Sequence, residues 1–402
     1  MKERIKYFLT LILISFLKPL SFLCYGRYKY WVISEKGNSG QDNDYFFLKY
    51  LVGKEIPTIF LIKKNSPDFK KVSSISRVIK YGSFKNLLVI LSAKVLASTH
   101  LYGYCKWNSV EKYFIKHNSK QVHVFLQHGI TKDDLPILYG DRNNIDVFVC
   151  GAKKEYEYVS EKFKYKDGVV SYTGLPRFDD LINDIKNETI VIMPTWRRGI
   201  DNYSEKDFLN TDYYIHWQSL LNNTDLRDLA RKNNLNVVFC VHRSFARYTH
   251  LFNSNFAKVC SGENIDVHEL LKNAKTLITD FSSVYFDVAF MNKQIIYYQF
   301  DKNDYRKSHY TEGYFSYEND GFGPIFTDES DLLKYYYKNF DNLAFEQKYL
   351  NRMNNFFAIR DNKNCDRLYT KILEKLKGNI IISVQAMPSE PLYDEVCINA
   401  MI

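Results

Sequence analysis

Although the chain holds seven cysteines (Cys24, Cys105, Cys150, Cys240, Cys260, Cys365 and Cys397), no two are spaced as Cys-x-x-Cys. An odd, scattered set of this kind excludes a disulfide framework and reads as free thiols in a reducing, cytosolic compartment. Without clustered thiolate or imidazole ligands a structural zinc is not expected. Long apolar runs are also missing. A membrane-spanning helix needs about 20 continuous apolar residues, whereas Phe8–Leu17 is interrupted by Lys18-Pro19 before a second patch at Leu20–Tyr25. No small-x-small cleavage site follows, and Cys24 lacks the small residue that precedes a lipoprotein cysteine. G-x-G-x-x-G, an Asp-rich metal motif and a nucleic-acid recognition module are absent as well.

What is present belongs to a globular protein. Of 402 residues, 46% are hydrophobic, 25% charged and 16% aromatic, a balance that excludes a disordered or collagen-like chain. The length favours two domains of roughly 150 to 200 residues. A net charge of +9 implies a basic face, for which nucleic acid, an anionic membrane and a phosphorylated substrate are the candidate partners. At the N-terminus, Lys2, Arg4 and Lys6 precede the apolar run, and Arg27 and Lys29 follow it. The segment reads as an interfacial helix or a buried first helix. Interfacial contact is favoured, because cations near anionic headgroups contribute about 1 kcal/mol each.

From Tyr30 onward, short apolar runs alternate with helical patterns. Tyr30–Ser34, Thr58–Ile62, Val95–Thr99, Val122–Leu126 and Val147–Cys150 read as buried strands, with helices predicted over Asp42–Val52 and Lys153–Lys164. The pattern restarts with strands at Thr189–Met193, Asn236–Val241, Thr276–Thr279 and Gln294–Tyr298, separated by helices at Leu226–Asn233, His268–Asn273 and Val284–Met291. Such alternation implies βαβ units and parallel sheets. The predicted fold class is α/β, two Rossmann-like domains facing a cleft. Its parts are an N-terminal membrane-contacting segment at 1–28, a first Rossmann-like domain at 29–185 and a second at 186–378. The polar stretch Asn183–Glu188 reads as the linker. Ala344–Lys377 reads as a long helical region whose helices cross back to the first domain. The run Ile380–Val384 reads as not extending that region, and the tail 379–402 has no assigned role.

Two facing domains of this type put strand carboxyl ends, and hence ligand sites, on a shared cleft. His128 directly follows the strand Val122–Leu126, with Gly129 allowing close approach. An imidazole is the natural proton acceptor near neutral pH, and a histidine satisfied by a loop carbonyl is the rival of equal weight. Thr279-Asp280-Phe281-Ser282-Ser283 leaves a strand and opens a helix. That is the usual anion cradle, though plain N-capping explains it too. Asp287 falls one turn further on the same helix. His242-Arg243 and Pro194-Thr195-Trp196-Arg197-Arg198 end neighbouring strands, where charge-assisted bonds to a diphosphate would contribute about 1.5 to 3 kcal/mol each. A solvated basic loop is the plain alternative. Gly174-Leu175-Pro176-Arg177 reads as a rigid turn at a hinge before the linker, with a purely structural turn its equal rival, and Gly37-Asn38-Ser39-Gly40 reads as a turn bordering the acceptor.

These residues occur in an order that resembles the CDP-glycerol glycerophosphotransferase family. The matching motifs are LQHGITKDD (Leu126–Asp134), TGLPRFD (Thr173–Asp179), MPTWRR (Met193–Arg198) and ELLKNAKTLITDFSSVYFDVAF (Glu269–Phe290). IIYYQFDKNDY (Ile295–Tyr305), GYFSYE (Gly313–Glu318), GPIF (Gly323–Phe326) and the opening SEKGNSGQDNDYFFLKYL (Ser34–Leu51) continue the series, so the likeness covers about residues 30–375. The resemblance implies a glycosyltransferase-B-type fold, with 29–185 the acceptor domain and 186–378 the CDP-donor domain, and peripheral attachment at the cytoplasmic face of the cell membrane. The implied reaction is transfer of glycerol phosphate, or ribitol phosphate, from a CDP-activated donor to a lipid-linked polymer acceptor in teichoic acid or capsular polymer synthesis. By position, His128 matches the family's base and His242 its second histidine at the donor diphosphate. Ser282 and Ser283 match its donor-binding serines. Gly129, Lys132, Arg177, Thr195, Trp196, Arg197, Arg198, Arg243, Asp280 and Asp287 complete the expected substrate-binding set. No metal or other cofactor is expected, and no nucleic-acid partner; self-association stays open. Arg243 departs from the family's usual Pro, and the residues flanking His128 follow a variant pattern. The rival classes are a transferase using a UDP- or CMP-sugar, an epimerase on the same architecture, and a non-catalytic membrane-attached assembly factor.

Overall fold

In the computed structural model the described residues are 2–106, 120–183, 186–308, 311–340 and 346–385; of 2–11, 308 and 379–385 the backbone alone is described. The linker residues 184–185 and the tail from residue 386 lie outside them. Two parallel sheets carry the chain. The first contains β1 (Trp31–Gly37), β2 (Thr58–Ile62), β3 (Arg77–Lys80), β4 (Val95–Ser98), β5 (Val122–Phe125), β6 (Val147–Cys150) and β7 (Val170–Tyr172) in the order β3-β2-β1-β4-β5-β6-β7. The second contains β8 (Thr189–Ile192), β9 (Asn236–Val241), β10 (Lys258–Ser261), β11 (Ala274–Thr279), β12 (Gln294–Tyr298) and β13 (Ile325–Phe326) in the order β10-β9-β8-β11-β12-β13.

Central strands such as β2 and β8 are buried at every position, as expected where helices cover both faces of a parallel sheet. In each sheet the strand order reverses once, between β1 and β4 and between β8 and β11. The crevice outside the carboxyl ends at such a reversal is where open α/β sheets take their ligands. The two reversals therefore place the site before any side chain is considered.

Both ends of the described chain are helical, and one expectation there is corrected. The N-terminal segment is one helix, Lys2–Tyr25, that runs through Pro19. Its Ile14 and Tyr25 are buried with Leu87, Leu88 and Ile90 of the helix Phe84–Ser92, and Ser21 Oγ donates to Leu88 O at 2.7 Å. Packing of that face offsets the hydrogen bond the proline removes. The C-terminal helical region comprises two helices, Gln347–Phe356 and Asn364–Gln385. Against the expectation that Ile380–Val384 does not extend it, the second includes that run, because no proline or glycine stands between Gly378 and Gln385 to end it.

That last helix belongs to the first domain by packing. Leu368 and Ile372 are buried in the core with Trp31, Val124 and Val147, and the rings of Trp31 and Tyr369 lie 5.6 Å apart. Its start is fixed by Asp179, whose carboxylate accepts from the backbone N–H of Asn364 and Cys365 at 2.7 and 2.9 Å.

Candidate active site

The turn that carries His128 is held from both flanks. Gln127 adopts φ +59, unusual for a residue with a Cβ. Its carbonyl accepts from Asn43 Nδ2 at 2.8 Å, and its side-chain Nε2 donates to buried Glu155 Oε1 at 2.9 Å. Glu155 also accepts from the N–H of Thr131 and of Gly151, each at 2.6 Å. Burial pushes its carboxyl up to about 7 against these donors. So anchored, the turn leaves the His128 side chain 63% exposed, open to a ligand.

Beneath His128 sits Asp42, the N-cap of the helix Asn43–Gly53. Asp42 Oδ2 pairs with His128 Nδ1, and Oδ1 accepts from Arg177 at 2.7 Å. Burial alone would raise the Asp42 carboxyl, but His128 and Arg177 hold it well below the usual carboxylate range. Asp42 in turn raises His128 above an ordinary imidazole. With Nδ1 facing Asp42, Nε2 is the ring nitrogen left for a substrate proton. Arg177 continues the chain into the other domain, meeting Asp287 at 2.9 and 3.1 Å. Glu35 and Asp44 lie buried behind Asp42, and burial together with the neighbouring carboxylates raises both. The ring of His100, after β4, is 6.1 Å from that of His128.

The opposite wall comes from the second sheet. His242 ends β9 and caps the turn Arg243–Leu251, its Nδ1 accepting from Ser244 N–H at 3.1 Å. Burial, then Arg243, lowers His242 to about 4, so it is neutral with its proton on Nε2, a donor. Its ring stacks toward Trp196 at 6.4 Å. Ser282 and Ser283 leave β11 ahead of the helix Tyr285–Phe290. A Cβ on Gly129 would stand 3.4 Å from Ser283 Oγ, so the two walls come within contact distance at this turn.

A cavity of about 480 Å³ separates the walls, and every expected site residue lines it except Arg197, Arg198 and Asp280. The reading of Arg197 as a cation for the diphosphate is corrected. Its guanidinium bonds Asp280 at 2.7 Å and Asp301 at 2.6 Å, and lies 5.1 to 5.3 Å from the rings of Tyr213, Phe281 and Tyr305. Asp280 is likewise internal, accepting from Thr195 N–H at 2.8 Å. Together they fix the loop that presents Thr195 and Trp196. Arg198 is exposed outside the cavity lining. Lys132 lines the cavity but is buried against Asp133 at 2.7 Å.

Asp42, Glu35, Asn43, Glu155 and His100 carry no spacing signal that ties them to His128, and the sequence gives them no role. Among the described residues two groups approach metal-ligand spacing: Glu35, Asp42 and His128, and Asp180, His268 and Glu269. In the first, Asp42 already bonds both His128 and Arg177. In the second, Asp180 holds His268 and Lys272, each at 2.9 Å.

The geometry can be set beside known proteins. The sequence profile of the family described as CDP-glycerol:poly(glycerophosphate) glycerophosphotransferase matches residues 27–374. The minor teichoic acid biosynthesis protein GgaB of Bacillus subtilis (strain 168) is 32% identical over 372 residues, covering 88% of this chain and 40% of GgaB. A teichoic acid poly(glycerol phosphate) polymerase of Staphylococcus epidermidis is 27% identical over 219 residues, covering 53% of this chain and 27% of that protein. The chain thus spans two fifths or less of these relatives. Among solved structures, the wall teichoic acid polymerase TagF superposes with a TM-score of 0.72 at 17% identity, over 94% of this chain and 98% of that one. That likeness establishes the fold, two Rossmann-like domains across a cleft.

Proposed function

Since this chain belongs to the CDP-glycerol:poly(glycerophosphate) glycerophosphotransferase family, we propose that it moves glycerol phosphate, or another polyol phosphate, from a CDP-activated donor to a hydroxyl of a lipid-linked acceptor, in teichoic acid or capsular polymer synthesis. The observation that carries the reading is the His128–Asp42 pair facing His242 and Ser282-Ser283 across one cavity. His128 Nε2 takes the proton of the acceptor hydroxyl. The oxygen attacks the β-phosphorus, the bond from that phosphorus to the bridging oxygen breaks, and CMP leaves. The His242 Nε2–H, the Arg243 guanidinium and the N–H groups of the Ser282-Ser283 turn hold the diphosphate. Such a transfer needs positioning and charge stabilisation above all.

His128→Ala should lower CMP release by about 100-fold or more, the usual weight of a positioned base, while donor binding, followed by Trp196 fluorescence, persists. Near-normal turnover by the variant would refute the base assignment. The assay is run in EDTA, since cations and backbone dipoles are read as carrying the charge; a rate restored only by magnesium overturns that part.

The proposal extends to a peripheral place on the cytoplasmic face of the membrane. No described helix is long and apolar enough to cross a bilayer. Support comes from the free face of the helix Lys2–Tyr25, where Ile12, Leu13, Phe16, Leu20 and Leu23 are exposed at helical spacing.

A further inference from the structure

The positive charge of the chain is concentrated in one stretch. Residues 56–120 carry 12 Lys and Arg against two acids, net +10, whereas all other residues carry 43 against 44. This stretch supplies β2, β3 and β4 of the first sheet. Strand pairing then places six of its twelve cations at two edges of the sheet.

At the carboxyl edge, Gly37 pairs with Ile62 and Ile62 with Lys80. Lys63, Lys64 and Lys80, joined by Lys36 of β1, therefore stand in a row across three neighbouring strand ends, and all four are exposed. From Lys80 at the end of β3 the row leads past β4 to the end of β5, where His128 stands. Four strand spacings of about 4.8 Å make that distance roughly 19 Å. The surface is tied together in advance. Lys63 Nζ donates to Asn38 Oδ1 at 2.6 Å and lies 5.9 Å from the Tyr81 ring, while Ser66 Oγ donates to Asn38 O at 2.7 Å. Asp68 is buried and accepts from Gly40 N–H and Gln41 Nε2 at 3.1 and 3.0 Å. Among the described residues no carboxylate pairs with any of the four lysines.

The other edge differs. Arg77, Lys94 and Lys120 stand at or just before the amino ends of β3, β4 and β5. Arg77 lies 5.6 Å from the ring of Tyr25 in the N-terminal helix. Cations there accompany the proposed membrane face, so the carboxyl-edge row needs a different anion.

We propose that Lys36, Lys63, Lys64 and Lys80 form a track for an extended phosphodiester chain, the anionic body of the acceptor, whose hydroxyl end reaches His128. The position of that end rests on the transfer reading above; binding of a polyanion does not.

The test combines Lys36→Ser, Lys63→Ser, Lys64→Ser and Lys80→Ser in the full chain. A fluorescently labelled, lipid-free oligo(glycerol phosphate) is titrated without donor. Affinity should fall about tenfold or more, and the slope of log affinity on log salt should flatten by roughly 0.7 for each phosphate that a lysine no longer neutralises. Combined Arg77→Ser, Lys94→Ser and Lys120→Ser should leave both unchanged. Equal oligomer binding by the row variant and the wild type overturns the track. So does loss of phosphatidylglycerol-vesicle binding with oligomer binding intact, which would assign the row to the membrane. With CDP-glycerol present, the row variant should raise KM for the oligomer and leave transfer to single glycerol phosphate unchanged. A wild type that binds the oligomer through the row yet transfers nothing would sink the transfer reading and leave the track standing.

Discussion

Asp42 is shared between a permanent cation, Arg177, and one that titrates, His128. Because Asp42 raises His128, the neutral imidazole needed as a base forms only above an ordinary imidazole's range. The rate should therefore climb with pH through a midpoint above about 6.5. Asp42→Asn removes the charge that raises His128, so the midpoint should move down. The amide also no longer fixes the Nδ1–H tautomer, so the plateau rate should drop by about 100-fold or more. A pH–rate profile checks both; an unmoved midpoint would show that Asp42 does not set the base. At this scale the sequence is half legible. His128, His242 and Ser282-Ser283 are readable because each ends an apolar run. Asp42 is not, since a helix cap and a catalytic orienter look alike in sequence. Arg197 is readable as a cation, but its aspartate partners lie 83 and 104 positions away.

Strands divide in the same way. The nine strands at interior positions of the two sheets, from β1 to β12, are those that alternation predicts; all are close to their expected ranges, and β6, β2, β9 and β12 coincide with them. The four that the pattern does not reveal are β3, β7, β10 and β13, which are the edges of the two sheets. Edge strands are short and bury one face or less, so β3 and β10 mix exposed and buried positions where the pattern seeks an apolar run. The N-terminal helix shows a related limit. Its sequence announces apolarity, but only the packing of Ile14, Ser21 and Tyr25 says which face is free. Phe16 and Leu23, 78% and 84% exposed, lie on that face. Phe16→Asp with Leu23→Asp should weaken binding to anionic vesicles at least tenfold, each buried CH₂ being worth about 0.8 kcal/mol, and leave the melting temperature within a few degrees. Undiminished sedimentation with vesicles would remove the helix from the membrane contact. Deleting the helix would be a poorer test, because its other face is core.

Across the molecule, Arg177 binds the domains together, bonding Asp42 in one and Asp287 in the other while both carboxylates are buried. Arg177→Met should cost about 3 to 5 kcal/mol in chemical denaturation, because it strips buried Asp287 of its cation and leaves buried Asp42 with His128 alone. A loss below about 1 kcal/mol would mean the pairs are readily replaced by water. The two-domain organisation is readable from length and from the restart of strand alternation near residue 186. The assignment of Asn364–Gln385 to the first core is not readable, because helical periodicity shows that a face is apolar without showing which domain covers it. That assignment bears on how the protein is made. Domains tend to fold as they leave the ribosome, N-terminal first, yet here the first sheet is complete by β7 while Leu368 and Ile372 still await synthesis. Until they emerge, the nascent first domain displays uncovered apolar surface around Trp31 and Val147, a natural place for a holding chaperone.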